Sequence, residues 1–245
     1  MKTCFLTDRG IRPRNEDACG VWKFPQGLTL IAVADGLGGH PAGDIASALA
    51  LEELHRAVGR GLADSPDPDH GVLRIIMKKG FSSADNEVFS RGIATPAWQG
   101  MGTTLVAALI REEGHGILGN LGDSRAYSIG PEGAVRLSVD HSRVMEMVSR
   151  GILTLEEANR HPMKNIVTRI AGRPGDSPDL YDLRMNDEDL LMLCSDGLID
   201  GLSDAEIAQI SGTVPFSHLC EALVHDALRT SRDNVTVAAA KRETH

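Results

Sequence analysis

Apolar segments of strand length recur along the chain, at 28–34, 104–110, 116–121, 126–129, 190–194 and 235–240. Their apolar residues follow one another almost without interruption, whereas a strand with one face in water alternates apolar and polar residues. We therefore expect strands that are covered on both faces, with helices supplying part of the cover.

Three further segments, 44–58, 72–89 and 216–229, have apolar residues at helical spacing. Two more helices are predicted by capping boxes, in which a hydroxyl and a later carboxylate bond the first amides of a helix. Thr154 with Glu157 and Ser203 with Glu206 have this spacing. The segment 61–70 contains two prolines and several acidic residues or histidines, which is typical of a surface connection.

Length and charge narrow the class of protein. A chain of 245 residues is long enough for a substantial core, and we expect a single domain over 1–245. Its net charge of −9 provides no electrostatic footprint for nucleic acid or anionic lipid. No apolar run approaches the roughly 20 residues that span a bilayer, and 1–9 is too short and too polar for a secretory signal. We expect a monomeric cytoplasmic protein that binds neither nucleic acid nor membranes.

The four cysteines are Cys4, Cys19, Cys194 and Cys220. They form no C-x-x-C pair and no spacing with histidine that is typical of a zinc site. We expect buried or free thiols.

Acidic residues follow three of the predicted strands. Asp35, Asp123 and Asp196 each stand at or just after a strand end and precede a small residue, and Asp233 comes just before the last strand. Each dipeptide alone is typical of a turn. If the acids converge, however, their mutual repulsion favours binding of hard cations, and oxygen ligands select Mg²⁺, Mn²⁺ or Ca²⁺ over zinc.

The glycine-rich segment 36–43 lies between a predicted strand and a predicted helix, which suggests a nucleotide-binding loop. Its spacing does not support that function. Pro41 stands where a dinucleotide loop has its third glycine, and the Gly-Lys-Ser/Thr ending of a P-loop is absent. The glycines are better explained by the approach of backbone oxygens to a metal.

Eight short motifs together resemble the ordered series of the bacterial metal-dependent Ser/Thr protein phosphatases, the PPM (type 2C) family. They are RPRNED (12–17), VADGLGGH (33–40), MGTT (101–104), GNLGDSR (119–125), DHS (140–142), NIVTR (165–169), SDG (195–197) and DN (233–234). The resemblance runs from about residue 8 to about residue 240. No single motif is specific, but their number and order are.

The resemblance implies an α+β fold, in which a β-sandwich of two antiparallel sheets is flanked by helices and carries a binuclear Mg²⁺ or Mn²⁺ centre at one end. In this family pattern Asp35 bridges both metals, and the carbonyl of Gly36 binds the first. Asp17, Asp196 and Asp233 correspond to ligands of the second metal, and Glu16 to a residue that ligates metal or orders its water. Asp123, with Asp196, corresponds to the site of a third, weaker ion.

The implied reaction is hydrolysis of phosphoserine and phosphothreonine in proteins by a hydroxide that bridges the two metals. Arg12 corresponds to the residue that clamps the phosphate. Outside this resemblance it would be interpreted as an exposed turn residue. His40 is the candidate proton donor to the leaving alkoxide, and His161 is the alternative.

The resemblance also implies a flap segment at about 143–163 and a phosphorylated protein substrate, which we expect to be a Ser/Thr kinase or its target. Two other functions compete with phosphatase activity. The spacing of segment 36–43 argues against a nucleotide-binding enzyme. Retention of Asp17, Asp35, Asp196 and Asp233 argues against a binding module that has lost its activity.

Overall fold

The computed structural model describes residues 1–37 and 42–243. The strands are β1 (Lys2–Asp8), β2 (Asp17–Phe24), β3 (Leu28–Asp35), β4 (Leu105–Arg111), β5 (His115–Leu121), β6 (Arg125–Gly130), β7 (Gly133–Arg136), β8 (Asp179–Arg184), β9 (Leu190–Cys194) and β10 (Val235–Lys241). The helices are α1 (Gly43–Asp64), α2 (His70–Ala94), α3 (Arg143–Ser149), α4 (Leu155–Arg160), α5 (Asp196–Gly201), α6 (Asp204–Thr213) and α7 (Leu219–Ala227), with short 3₁₀ turns at Pro96–Trp98 and Phe216–His218.

Within the described residues the strands form two sheets, in the orders β1-β10-β9-β6-β7 and β2-β3-β4-β5-β8. All the strand pairs are antiparallel. The expected fold class, two antiparallel sheets flanked by helices, is confirmed.

The uninterrupted apolar runs are explained by two-sided burial, as β3 shows. Leu30 and Ala32, with Leu28 and Ala34, belong to a core cluster that includes residues of α1 and α2. Ile31 and Val33 point the other way and pack with residues of β9 and β10 in the second sheet. Because both faces of the strand are covered, no polar alternation is needed.

Helices α1 and α2 are longer than the sequence pattern predicts. The predicted connection at 61–70 shrinks to five residues between Asp64 and His70. Gly61 and Leu62 remain helical because they pack against α2: Leu62 is buried, and a Cβ on Gly61 would lie 2.9 Å from a side-chain carbon of Ile76. Both predicted capping boxes, at Thr154 and Ser203, are present.

Two of the cysteines do not follow the expectation of buried or free thiols. Cys4 in β1 and Cys220 in α7 form a disulfide with a Cα–Cα distance of 6.2 Å, whereas Cys19 and Cys194 are free. The pair is separated by 216 residues, so local spacing contains no information about it. No helix among the described residues is both long and apolar enough to cross a membrane.

Candidate metal centre

Asp17 and Asp35 lie directly opposite each other at one end of the β2–β3 pair. The hydroxyl of Thr236, in β10 of the other sheet, donates to Asp17 Oδ2 at 2.7 Å. The backbone of Asp35 is held on both sides by Thr104, whose hydroxyl accepts from the Asp35 N–H at 3.0 Å and whose N–H donates to the Asp35 carbonyl at 2.8 Å. The carboxylate of Asp17 and the backbone of Asp35 are therefore fixed at this end of the sandwich.

Asp196 and Asp233 reach the same end of the sandwich from the other sheet. Asp196 is the first residue of α5, separated from the end of β9 by one residue, and Asp233 precedes β10. The segments that carry them are in close contact, because a Cβ on Gly197 would lie 1.9 Å from the carbonyl oxygen of Asn234. Only glycine fits at position 197, and its absent side chain lets the two acids approach.

Asp123 follows β5 through Gly122, whose φ of 122° is in the region that favours glycine. A Cβ on Gly122 would also lie 2.5 Å from Thr104 Cβ. The turn before Asp123 therefore packs on the residue that holds Asp35.

Burial and neighbouring negative charges perturb Asp17, Asp35 and Asp196. Burial raises the pKa of Asp17 to about 6, with hydrogen bonds opposing part of the effect. Burial and then the negative charges of Asp17, Asp196 and Asp123 raise the pKa of Asp35 well above its usual range. Burial, Asp123 and Asp233 raise the pKa of Asp196 to about 8. Such a cluster is stable in its charged form only when cations neutralise it.

The donor set fits divalent metal ions. All its side-chain donors are carboxylate oxygens, the ligand type of Mg²⁺ and Mn²⁺. Within the described residues, no three acidic, histidine or cysteine side chains are grouped closely enough to hold a metal ion as they stand. Instead, the negative charges of Asp17, Asp123 and Asp196 lie near enough to raise the pKa of Asp35. Cations would replace the protons that the raised pKa values favour.

Gly36 and Glu16 lie next to this cluster. The Gly36 N–H donates to the carbonyl of Glu16 at 3.0 Å, and a Cβ on Gly36 would lie 2.2 Å from the carbonyl oxygen of Gly43. The glycine is therefore required by backbone contact, and the sharp turn that the sequence suggested after Asp35 is not its reason. Burial and the charge of Asp44 raise the pKa of Glu16.

Arg12 also lies at this end of the molecule. Its Nη2 donates to Asp233 Oδ2 at 2.5 Å and its Nε to the carbonyl of Arg232 at 3.1 Å, while the side chain stays 46% exposed. A planar guanidinium that borders the acids and faces solvent is placed to bind phosphate oxygens.

The structure describes the surroundings of only one of the two candidate proton donors, His161. His40 lies outside the described residues, which omit 38–41. His161 is the residue after α4, and its Nδ1 accepts from the N–H of Met163 at 3.2 Å. This contact stays within its own turn, as expected of a residue that ends a helix.

Asn234 has a role that the sequence did not reveal. Its Nδ2 donates to the carbonyls of Arg9 and Arg14 at 2.8 and 2.9 Å, and its Oδ1 accepts from the N–H of Glu16 at 2.8 Å. One side chain thus ties the loop of Arg12 to the end of β10. The sequence does contain one signal for this role. Asn234 is an amide that directly follows the candidate ligand Asp233, and the motif DN contains both residues.

A cleft of about 460 Å³ opens beside Asp123 and Asp196. Its opposite wall comes from 143–163 and the residues just after it, including Met145, Ala158 and Lys164. Lys164 Nζ donates to Asp200 Oδ1, in α5, at 3.0 Å. The segment predicted as a flap therefore lines a cleft at the acidic cluster.

Comparison with known proteins gives consistent results. Residues 12–236 match the family model described as Protein phosphatase 2C. The protein phosphatase PhpP of Streptococcus pneumoniae serotype 2 is 36% identical over 243 residues, which cover 97% of this chain and 96% of that protein. The crystal structure of the serine/threonine phosphatase Stp1 from Staphylococcus aureus superposes with a TM-score of 0.90 at 33% identity, covering 99% of this chain and 95% of that one. The catalytic domain of the serine/threonine phosphatase PstP, whose structure contains two manganese ions, gives a TM-score of 0.81 at 30% identity, covering 98% and 97%.

Proposed function

The chain belongs to the protein phosphatase 2C family, and we propose that its buried acids hold the divalent cations with which it hydrolyses phosphoserine and phosphothreonine in proteins. The single observation that supports this site is the convergence of Asp17, Asp35, Asp123, Asp196 and Asp233, in which each acid is held near others of like charge. When bound, the cations supply a nucleophilic water near neutral pH and neutralise charge on the phosphoryl oxygens.

Each acid has a proposed role. Asp35 would hold both tight ions, and the carbonyl of Gly36, the residue directly after β3, would hold the first. Asp17, Asp196 and Asp233 would hold the second ion, with Glu16 beside them. Asp123 and Asp196 would hold a third, weaker ion. Their oxygen donors suit Mg²⁺ and Mn²⁺ alike, and the manganese ions in the PstP structure support Mn²⁺ for assays.

The remaining residues bind the phosphate of the substrate and protonate the leaving alkoxide. Arg12 binds two phosphoryl oxygens and orients the phosphorus for attack. As the oxygen of an attacking water forms a new bond to phosphorus, the phosphorus–oxygen bond to serine or threonine breaks, and the departing alkoxide needs a proton because it is strongly basic. We assign that proton to His40, with His161 as the alternative donor.

Further proposals concern the substrate, the flap, the location and the oligomeric state. We propose that the substrate is an autophosphorylated Ser/Thr kinase or its target, that 143–163 acts as the flap of a single domain, and that the protein is a cytoplasmic monomer. Disulfides are rare in the reducing cytosol, so this location requires that Cys4 and Cys220, which form a disulfide in the structure, are reduced in growing cells. Alkylating free thiols at cell lysis and measuring the mass of the protein by mass spectrometry tests the location. An oxidised Cys4–Cys220 pair in growing cells would contradict it.

The experiment that tests the function is hydrolysis of a phosphothreonine peptide by the full chain. Turnover should require Mn²⁺ or Mg²⁺, stop on addition of excess EDTA and return when Mn²⁺ exceeds the chelator. A phosphotyrosine peptide of the same sequence is the specificity control. Full activity in EDTA would overturn the proposed metal centre.

A further inference from the structure

The direction in which Asp123 points depends on the backbone of one residue, Gly122. This glycine has a positive φ, and no side chain fits there against Thr104. Because glycine has no side chain to anchor it, hydrogen bonds to its N–H and its carbonyl fix the two peptide units on either side of it. The partners of these two groups therefore decide where the next residue, Asp123, is placed.

His141 bonds both of those groups. The Gly122 N–H donates to His141 Nδ1 at 3.1 Å, and the His141 backbone N–H donates to the Gly122 carbonyl at 2.8 Å. Asn120 Nδ2 adds a second donor to that carbonyl at 3.1 Å. The His141 side chain is only 1% exposed, so water does not compete for these bonds.

The other side of the imidazole is held as firmly. His141 Nε2 lies 3.1 Å from Asp179 Oδ2. Asp179 is in turn bound by both terminal nitrogens of Arg169, at 2.9 and 3.2 Å. Arg169 balances the charge of Asp179, so this carboxylate does not require a charged imidazole.

These contacts specify one tautomer. Nδ1 accepts a hydrogen bond from a backbone N–H and therefore carries no proton, so the proton is on Nε2 and is donated to Asp179. Burial lowers the pKa of His141, which also favours the neutral ring. A charged imidazole would direct a second N–H at that of Gly122 and break the contact.

We propose that His141 is a positioning residue, which orients Asp123 toward a divalent cation through the Gly122 peptide and whose tautomer is fixed by Asp179 and Arg169. This inference rests on the proposed function. It also gives the DHS and NIVTR motifs, which supply no metal ligand, a task in the reaction.

Two substitutions separate this role from general packing. In His141→Asn the side-chain carbonyl can accept from the Gly122 N–H as Nδ1 does, whereas His141→Leu fills the space without an acceptor. Calorimetric titration of Mn²⁺ should show the weakest binding event weakened about 10- to 100-fold in His141→Leu. In His141→Asn it should stay within about 3-fold of wild type, because the acceptor is retained. His115→Asn, an exposed histidine at the far end of β5, is the control.

Nitrogen NMR on the metal-free wild type tests the tautomer without any variant. We expect a protonated Nε2 and an unprotonated Nδ1 on His141. A protonated Nδ1 would overturn the proposal, and it decides the matter even if His141→Leu does not fold.

The possible failures are distinguishable. If wild type and His141→Leu bind all their ions equally, this proposal is wrong while the phosphatase function stands. If the folded wild type binds no Mn²⁺ and hydrolyses no phosphothreonine, the proposed metal centre fails and the positioning role fails with it.

Discussion

Glycines beside the candidate ligands act mainly by letting backbones approach. Among Gly36, Gly122 and Gly197, only Gly122 has a positive φ, yet a Cβ on any of the three would collide with a neighbouring segment. The sequence shows that a small residue follows Asp35 and Asp196. It cannot show that the reason is a contact with Gly43 or Asn234, because those partners are distant in the chain or on another element.

Arg12 offers a test at the scale of one side chain. Arg12→Ala should raise KM for a phosphothreonine peptide about 10-fold, because the guanidinium binds the phosphate and not the metal. Metal affinity should remain near that of wild type. Steady-state kinetics and Mn²⁺ calorimetry provide the two readouts, with the exposed Arg14→Ala as control. An unchanged KM would return Arg12 to the interpretation of a turn residue.

The two histidines are separated by the leaving group. p-Nitrophenyl phosphate releases a weakly basic phenolate, whereas phosphothreonine releases a strongly basic alkoxide that needs a proton. His40→Ala should therefore slow phosphothreonine hydrolysis about 10²-fold more than that of the aryl phosphate, and His161→Ala should slow both equally or neither. The opposite pattern would make His161 the donor. If each variant loses the same rate on both substrates, neither histidine is the proton donor.

At the scale of elements, the strands that the sequence predicts are the interior ones. Within the described part of the chain, β3, β4, β5, β6, β9 and β10 each pair on both sides, and all six correspond to apolar runs. The strands at the sheet edges, β1, β2, β7 and β8, are missed. They are partly exposed and carry mixed polar and apolar residues, so their apolar pattern is weak.

The same difference decides which site residues the sequence reveals. Asp35, Asp123 and Asp196 stand out because they come at or just after the ends of the apolar runs of interior strands. Asp17 begins an edge strand, so it follows no apolar run that would mark it. Asn234 and His141 act on backbone groups far along the chain, and a hydrogen bond of that kind leaves no local pattern.

At the scale of the whole molecule, the sandwich brings residues from the first 20 and the last 15 positions to one end. Asp17 and Thr236 bond across the two sheets, and Arg12 bonds Asp233. The disulfide joins β1 to α7 across 216 residues of chain. The metal centre therefore depends on the complete fold, and metal binding should stabilise it as a unit.

The raised pKa values of the buried acids determine how folding stability and metal affinity depend on pH. An acid whose pKa is higher in the folded state binds protons more tightly there, so it favours folding at low pH. In the metal-free protein that contribution is lost as the pH rises through the folded pKa values of about 6 to about 8. Cations must displace the same protons, so metal affinity should increase over this range.

The metal centre is tested most directly by calorimetric titration of Mn²⁺ into EDTA-stripped wild type and Asp35→Asn at about pH 6.5 and about pH 8. Wild type should bind two ions tightly, and more tightly at the higher pH. Asp35→Asn should lose about 100-fold in affinity for both, because Asp35 serves both ions, while the exposed Asp67→Asn should match wild type. Two tight sites in a folded Asp35→Asn, or wild-type affinity that does not change with pH, would contradict the assignment.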